Sequence, residues 1–497
     1  MTDYLKVSSV EDEDEDVEVE VDVDVEEGED DEEGERVSGA VRRGGSLSSN
    51  HTSVLISKPP SQPRDVTYSS IYFAVLIAML CFTLFKREVP LSDAIVSTKY
   101  AGNWASHLMI APIMGTFCGV CLCFFLFIDP MRSCLLAGST YMALLTNLGL
   151  AGALMFSQYW VVGVLLLLEV YFFELNKYQY ARSNMDSSMA LINMAVDINQ
   201  SFHLMLVVAS FLLILAQTCV LLWWSALLVS VVSKESITGS ILLAILFFIF
   251  LYLICHFFRT LIGAVVGGSF LWVFMRDQRP PYHFRYVMRQ VLLYVNTCTT
   301  ASIGSICKAA ILVPPCQAIL SATAHLEFRV RSYSTHQSKC SGVLIHTLIH
   351  FLKTYLEPRA KYFPRLALFY VSTYGHSLNK AAMVVEQKSS SGLQVLSLES
   401  TGSLFDNLTY VLASGVSVIL LIVAEFEDDD QSLGPFWPLF YALCFLLAYA
   451  SVSVSVQGFC SAADALILSF AEKPDLFEEK NAILYHRWIR INEIEMA

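Results

Sequence analysis

Charge is the first thing this chain has little of. Asp, Glu, Lys and Arg make up 16% of its 497 residues, where an ordinary soluble domain carries about a quarter. The charge present is unevenly spread, because the formal net value of −14 owes much to one run at residues 11–35, EDEDEDVEVEVDVDVEEGEDDEEGE. That run has too little apolar surface to offset its ordering entropy, so residues 1–66 are expected to form a disordered acidic tail. Without the run the rest is near neutral or slightly basic. An apolar signal-peptide core is missing from residues 1–58, so the first hydrophobic segment is expected to serve as an uncleaved anchor. Phosphate loops, nucleophile elbows and zinc-protease helices are missing too. Cys118, Cys121 and Cys123 have a metal-like spacing but no histidine beside them. Neither a metal nor a cofactor is expected, and no enzyme activity.

Apolar length is what the chain has in abundance. Hydrophobic residues account for 55% of it, and mean hydropathy is +0.53. A helix needs about 20 apolar residues to cross a bilayer. Candidate spans fall at 68–85, 105–128, 133–156, 160–175, 202–232, 238–274, 301–322, 363–385, 405–424 and 436–470. The fold class is therefore all-α, a polytopic transmembrane helical bundle of about ten segments over residues 67–471, with a cytosolic C-terminal tail at 472–497. Stretches 178–200 and 282–300 mix polar and apolar residues and read as interfacial helices.

Positive charge near the span ends sets orientation. Arg42, Arg43, Lys58 and Arg64 place the N-terminus inside, and alternation then puts Lys177, Arg182, Arg276, Arg279, Arg285 and Arg289 inside as well. The acidic stretch 425–430 falls outside. One region resists: the basic stretch 323–365 lands outside, and the segment before it carries Lys308 and Pro314-Pro315. The segments 301–322 and 363–385 are either full spans or re-entrant or broken helices buried against protein.

Ionisable groups at membrane depth are costly, so each is a functional candidate. Glu169 is the sharpest, with Tyr171 close by; His256, Arg259 and Lys308 also lie in apolar segments. Glu169 either neutralises a cationic solute or pairs with Arg259, Lys308 or His203 to fix helix register. Aromatic residues are the second signal: Trp223, Trp224, Tyr252, Trp272, Tyr370, Tyr374, Tyr441 and Tyr449. A quaternary ammonium offers no hydrogen-bond donor, so ring faces must hold it, each contributing about 0.5–2 kcal/mol. Packing and interfacial belts also collect these residues. G-x-x-x-G spacing at Gly115–Gly119 and Gly263–Gly267 predicts close helix contact.

From about residue 245 the chain resembles the choline transporter-like family. The residues that carry the likeness are RTLIGAVVGGSFLWVFMRDQRPP (259–281), ASIGSICKAAILVPPCQAIL (301–320), FPRLALFYVSTYGHSLNKAAMVV (363–385) and VQGFCSAADALILSFAEKPD (456–475). With only residues 86–104 between the first two spans, it is more similar to the fungal and plant-type members, which lack the large first extracellular loop. The resemblance implies a carrier for choline or a related amine such as ethanolamine, working by alternating access in the plasma membrane or an internal one. Glu169 would supply the compensating charge, and Tyr171, Trp272, Tyr370 and Tyr374 the aromatic wall. Expected partners are the small cationic solute, the lipid bilayer and a basic protein on the acidic tail, with no role for nucleic acid. Two other readings stay open: a membrane-embedded scaffold and a lipid-handling protein. If Arg259 and Lys308 line the site, an anionic or zwitterionic solute fits better.

Overall fold

A computed structural model describes residues 65–85, 104–183, 185–199, 203–232, 237–275, 284–333, 365–389, 395–427 and 437–472, with single positions at 347, 350, 351, 354, 478, 482, 486 and 489. The acidic tail, the loop between the first two spans, Arg276 and Arg279, most of the basic stretch and most of the C-terminal tail lie outside the described residues.

Among the described residues every element is helical. In chain order they are α1 (Val66–Phe85), α2 (Trp104–Leu126), α3 (Asp129–Phe156) and α4 (Trp160–Glu169), which runs through a π-helical turn (Val170–Glu174) into α5 (Leu175–Ser183). Then come α6 (Met185–Asn199), α7 (His203–Val232), α8 (Ile237–Met275), α9 (Phe284–Thr299) and α10 (Ile303–Tyr333). The last are α11 (Ala367–Tyr374), α12 (Leu378–Ser389), α13 (Val395–Glu427) and α14 (Trp437–Glu472). Seven of these are long and apolar enough to cross a membrane, and shorter apolar helices lie at Val66–Cys81 and Trp160–Glu169. Large apolar side chains such as Phe117, Phe124, Leu145, Val161 and Leu165 are exposed. In water they would be an aggregation hazard; on a bundle with its polar backbone groups satisfied inside helices they are the lipid-facing surface. This is an integral, multi-pass membrane protein.

α14 sits at the centre, packed most extensively against α2, α13 and α8. Sequence explains why. From Ala448 to Ala465 it is rich in Ala and Ser, most of them buried, so neighbouring backbones approach closely. A Cβ added at Gly115 would fall 2.9 Å from Ala448 Cα, and one at Gly119 would fall 2.6 Å from Ser455 Oγ. The second glycine pair is divided: Gly263 faces Gln457 and Ser461 on α14, whereas Gly267 meets the Phe369 ring and Gly268 the Ser372 side chain on α11. These glycines admit close neighbours to α8.

The two ambiguous segments resolve differently. α10 passes through Pro314 and Pro315 as one continuous helix. The described part of the other segment, residues 365–385, forms a broken helix: α11 ends at Gly375, whose φ of 60° is the left-handed conformation that lets a helix stop, and α12 starts at Leu378. The two stretches expected to be interfacial contain the helices α6 and α9, and α6 buries Leu191, Ile192, Met194 and Val196 in the bundle. α9 turns Val291, Tyr294 and Cys298 inward and leaves Leu292 and Leu293 exposed.

Candidate functional site

Among the described residues, Arg132, Arg259, Lys308 and Arg365 are drawn into the bundle and each meets an acid, Asp129 in the case of Arg132. Arg259 on α8 donates through Nε to Gln457 Oε1 at 2.7 Å and pairs through Nη2 with Asp406 Oδ1 at 3.2 Å. Gln457 is held in turn by Nε2 donating to Ser461 Oγ at 3.0 Å. Lys308 pairs with Asp65 Oδ1 at 3.4 Å, and Ser305 donates to the other oxygen of Asp65 at 2.7 Å. The Lys308 ammonium also lies 5.2 Å from the Tyr68 ring centroid, pinning the start of α1 to α10. Arg365, which the sequence places at the end of the basic stretch, instead enters the bundle and pairs with Asp464 on α14. Asp464 is 0% exposed. Among the described residues its Oδ2 and the Arg365 Nε have no hydrogen-bond partner.

Glu169 is different. It ends α4, half-buried, where the backbone passes into the π turn. Such turns place one residue off the regular helical register and are common at functional sites. Arg259 and Lys308, two of the three partners that would have made Glu169 a register-fixing residue, are committed elsewhere; the His203 side chain lies outside the described residues. Among the described residues Glu169 makes no hydrogen bond or ion pair, while Glu174 and Lys177 act on it at longer electrostatic range. Tyr171, two residues on, is 50% exposed.

The other sequence candidates gather elsewhere. Tyr370 and Tyr374 stack with centroids 5.5 Å apart, and Tyr374 stacks on His376 at 6.1 Å. The Tyr370 hydroxyl donates to Glu472 Oε1 and the Tyr374 hydroxyl to Oε2 at 3.2 Å. The pair thereby ties α11 to the end of α14, and Tyr370 itself is only 3% exposed. Neither tyrosine bonds to Glu169. Trp272 belongs to α8, but its side chain lies outside the described residues.

A second set of rings comes closer to the acidic pair. Tyr441, Phe445 and Tyr449 follow one another at helical spacing along α14, with centroids 6.3 and 5.7 Å apart. Tyr410 of α13 meets Phe445 edge-on at 5.2 Å. Glu174 and Glu169 both act electrostatically on Tyr410. Its hydroxyl donates to Asn147 Oδ1 on α3, and the Tyr441 hydroxyl shares a 2.8 Å hydrogen bond with Ser414. Tyr449 sits beside Arg259. Sequence reasoning noticed Tyr441 and Tyr449 but not Tyr410 or Phe445. A signal existed: positions 441, 445 and 449 share one helix face.

A family model described as plasma-membrane choline transporter matches residues 164–475. The match starts inside α4, ahead of Glu169, and ends just past α14, so of the residues named above it leaves out Asp65, Tyr68, Asp129, Arg132 and Asn147. No curated protein matches the chain.

Proposed function

Because the chain belongs to the choline transporter family, and is a membrane transporter on that account, we propose that it carries choline or a choline-like organic cation by alternating access. The observation that supports this reading is the charge inventory of the bundle. Arg259, Arg365 and Lys308 are each matched by a carboxylate, whereas Glu169 makes no ion pair or hydrogen bond among the described residues. A partly desolvated carboxylate is costly to keep without a partner. A positively charged solute resting beside it offsets that cost. The same inventory argues against an anionic solute, since the two arginines and the lysine have no uncompensated charge to offer.

Alternating access needs an element with two arrangements. The broken helix α11–α12 suits that part, because its junction at Gly375 has no side chain to resist rotation, and α11 meets α14 both through a buried apolar cluster that includes Leu368 and Leu466 and through the polar contacts of Tyr370, Tyr374 and Arg365. In this reading Tyr370 and Tyr374 act through Glu472 on the position of α11, and Tyr171 and Trp272 remain candidates for solute contact. The acidic run at 11–35 would dock a basic protein and take no part in transport, so a chain lacking residues 1–60 keeps its uptake and loses that partner.

The test is uptake of labelled choline, ethanolamine and an uncharged control into proteoliposomes at two membrane potentials. Choline and ethanolamine should enter, the control should not, and Glu169→Gln should cut choline uptake by about tenfold or more. Choline flux indifferent to Glu169→Gln would remove the carboxylate from the mechanism. Flux of phospholipid without solute would replace the reading with a lipid-handling one.

A further inference from the structure

The ring row on α13 and α14 has a feature that packing alone does not require: its tyrosine hydroxyls are fixed at their far ends. Tyr410 is held by Asn147, Tyr441 by Ser414, and Tyr449 lies against Arg259. Phe445 stands among the three, with Tyr410 edge-on at 5.2 Å and Tyr441 and Tyr449 nearly parallel to it, at interplanar angles of 17° and 30°. Anchored this way, Tyr410 and Tyr441 are restrained from swinging to follow a ligand, and Phe445 is confined by the rings around it. Tyr410, Phe445 and Tyr449 are half-buried rather than sealed.

Charge is distributed unevenly around the row. Near Tyr410 lie Glu169 and Glu174, with Lys177 close to Glu169. At the Tyr449 end Arg259 and Asp406 cancel one another. Asp406 is 43% exposed although it lies within the apolar stretch Thr401–Phe426, so polar atoms are accessible at that end as well. The Tyr410 end is thus net negative and aromatic, and the Tyr449 end is neutral and polar.

We propose that Tyr410 and Phe445 form the seat for the solute's ammonium group, with Glu169 and Glu174 supplying the long-range field. This rests on the cation-transport reading above and assigns its aromatic contacts to residues on α13 and α14. The chemical class that fits is a methylated ammonium: it has no donor for the carboxylates, so ring faces must provide its close contacts. A primary amine of the same length, able to donate hydrogen bonds, depends less on them. Tyr410 and Phe445 therefore set the preference for choline over ethanolamine, while Glu169 sets the preference for cation over neutral solute.

The experiment is inhibition and uptake in proteoliposomes with choline, ethanolamine and 3,3-dimethylbutan-1-ol, the neutral isostere of choline. Tyr410→Leu and Phe445→Leu should each raise KM for choline by about 2- to 30-fold and leave that for ethanolamine nearly unchanged. Tyr410→Phe, which keeps the ring face but loses the Asn147 anchor, should give a KM for choline between those of the parent and Tyr410→Leu. Fluorinated phenylalanines at position 445 keep the shape while draining negative charge from the ring face, so they test the idea even where the leucine variants fail to fold. KM for choline should climb with each added fluorine. A flat response to fluorination, or a choline-to-ethanolamine preference that survives both leucine substitutions, overturns the proposal. Failure of Glu169→Gln to alter uptake is a separate outcome, and it removes the charge assignment whatever the rings do.

Discussion

Removing the carboxylate of Asp464 should be among the most damaging single changes in this protein, and the damage should be reversible by a second substitution. Asp464 is 0% exposed and Arg365 is 15% exposed, so both charges have left solvent almost entirely. One hydrogen-bonded contact joins them, while Asp464 Oδ2 and Arg365 Nε find no other partner among the described residues. Such a pair gains little over an apolar one, because desolvation consumes most of the attraction; losing one member leaves the other charged and unmatched, at a cost of about 3–5 kcal/mol. Asp464→Asn therefore destabilises by roughly that amount. The double substitution Arg365→Met with Asp464→Leu should recover most of it, to within about 1–2 kcal/mol of the parent. The assay is heat challenge of detergent-solubilised protein followed by size-exclusion chromatography, comparing Arg365→Met and Asp464→Leu singly with the double. A double variant that loses as much as the two singles added together would show that the side chains do not act as a pair. Asp464→Asn melting with the parent would show that the buried carboxylate is already neutral or matched by another group.

Three further outcomes follow from contacts of other kinds. Gly267→Ala puts a methyl group into the Phe369 ring, and the overpacking should cost about 1–3 kcal/mol in the same heat assay; Gly138→Ala, where a Cβ meets nothing within 4 Å, should be neutral. Trp224→Phe removes the indole donor to Phe247 O at 3.0 Å inside the packed face of α7 and α8; because that carbonyl lies within the helical ladder of α8, the loss should be about 0.5–1.5 kcal/mol. Lys308→Met leaves Asp65 without its cation; because Ser305 still donates to Asp65, the loss should be smaller than for Asp464→Asn in a side-by-side melt.

Much of the helical envelope could be read from sequence because each span is an apolar run bounded by polar residues, and bilayer thickness leaves little freedom in length. Gly115 and Gly119 were legible for a similar reason: a four-residue spacing of small residues has one physical use on a helix inside lipid. The charge network was not. Arg365 looks in sequence like the last member of a basic loop, and nothing local says that it turns inward to meet Asp464 on a helix about a hundred residues away. Asp406 and Asp464 were nonetheless detectable, since the rule that singled out Glu169 applies equally to any acid within an apolar run. Tyr370 and Tyr374 show the limit in the other direction. Residue type made them look like a ligand wall, and only three-dimensional placement shows both hydroxyls on Glu472. The continuous course of α10 through Pro314-Pro315 was likewise undecidable locally, because tolerance of proline there depends on what else can satisfy the freed carbonyls.

The small side chains along α14 carry a mechanical corollary. Leucine layers between rods yield by switching rotamers, so one rod can shift while its neighbour stays put. Serine and alanine have almost no such slack, and α14 touches α2 and α8 through them. Any displacement of this axle is handed on to the two helices it meets in this way, which makes the three a single stiff body against which lighter parts of the molecule swing.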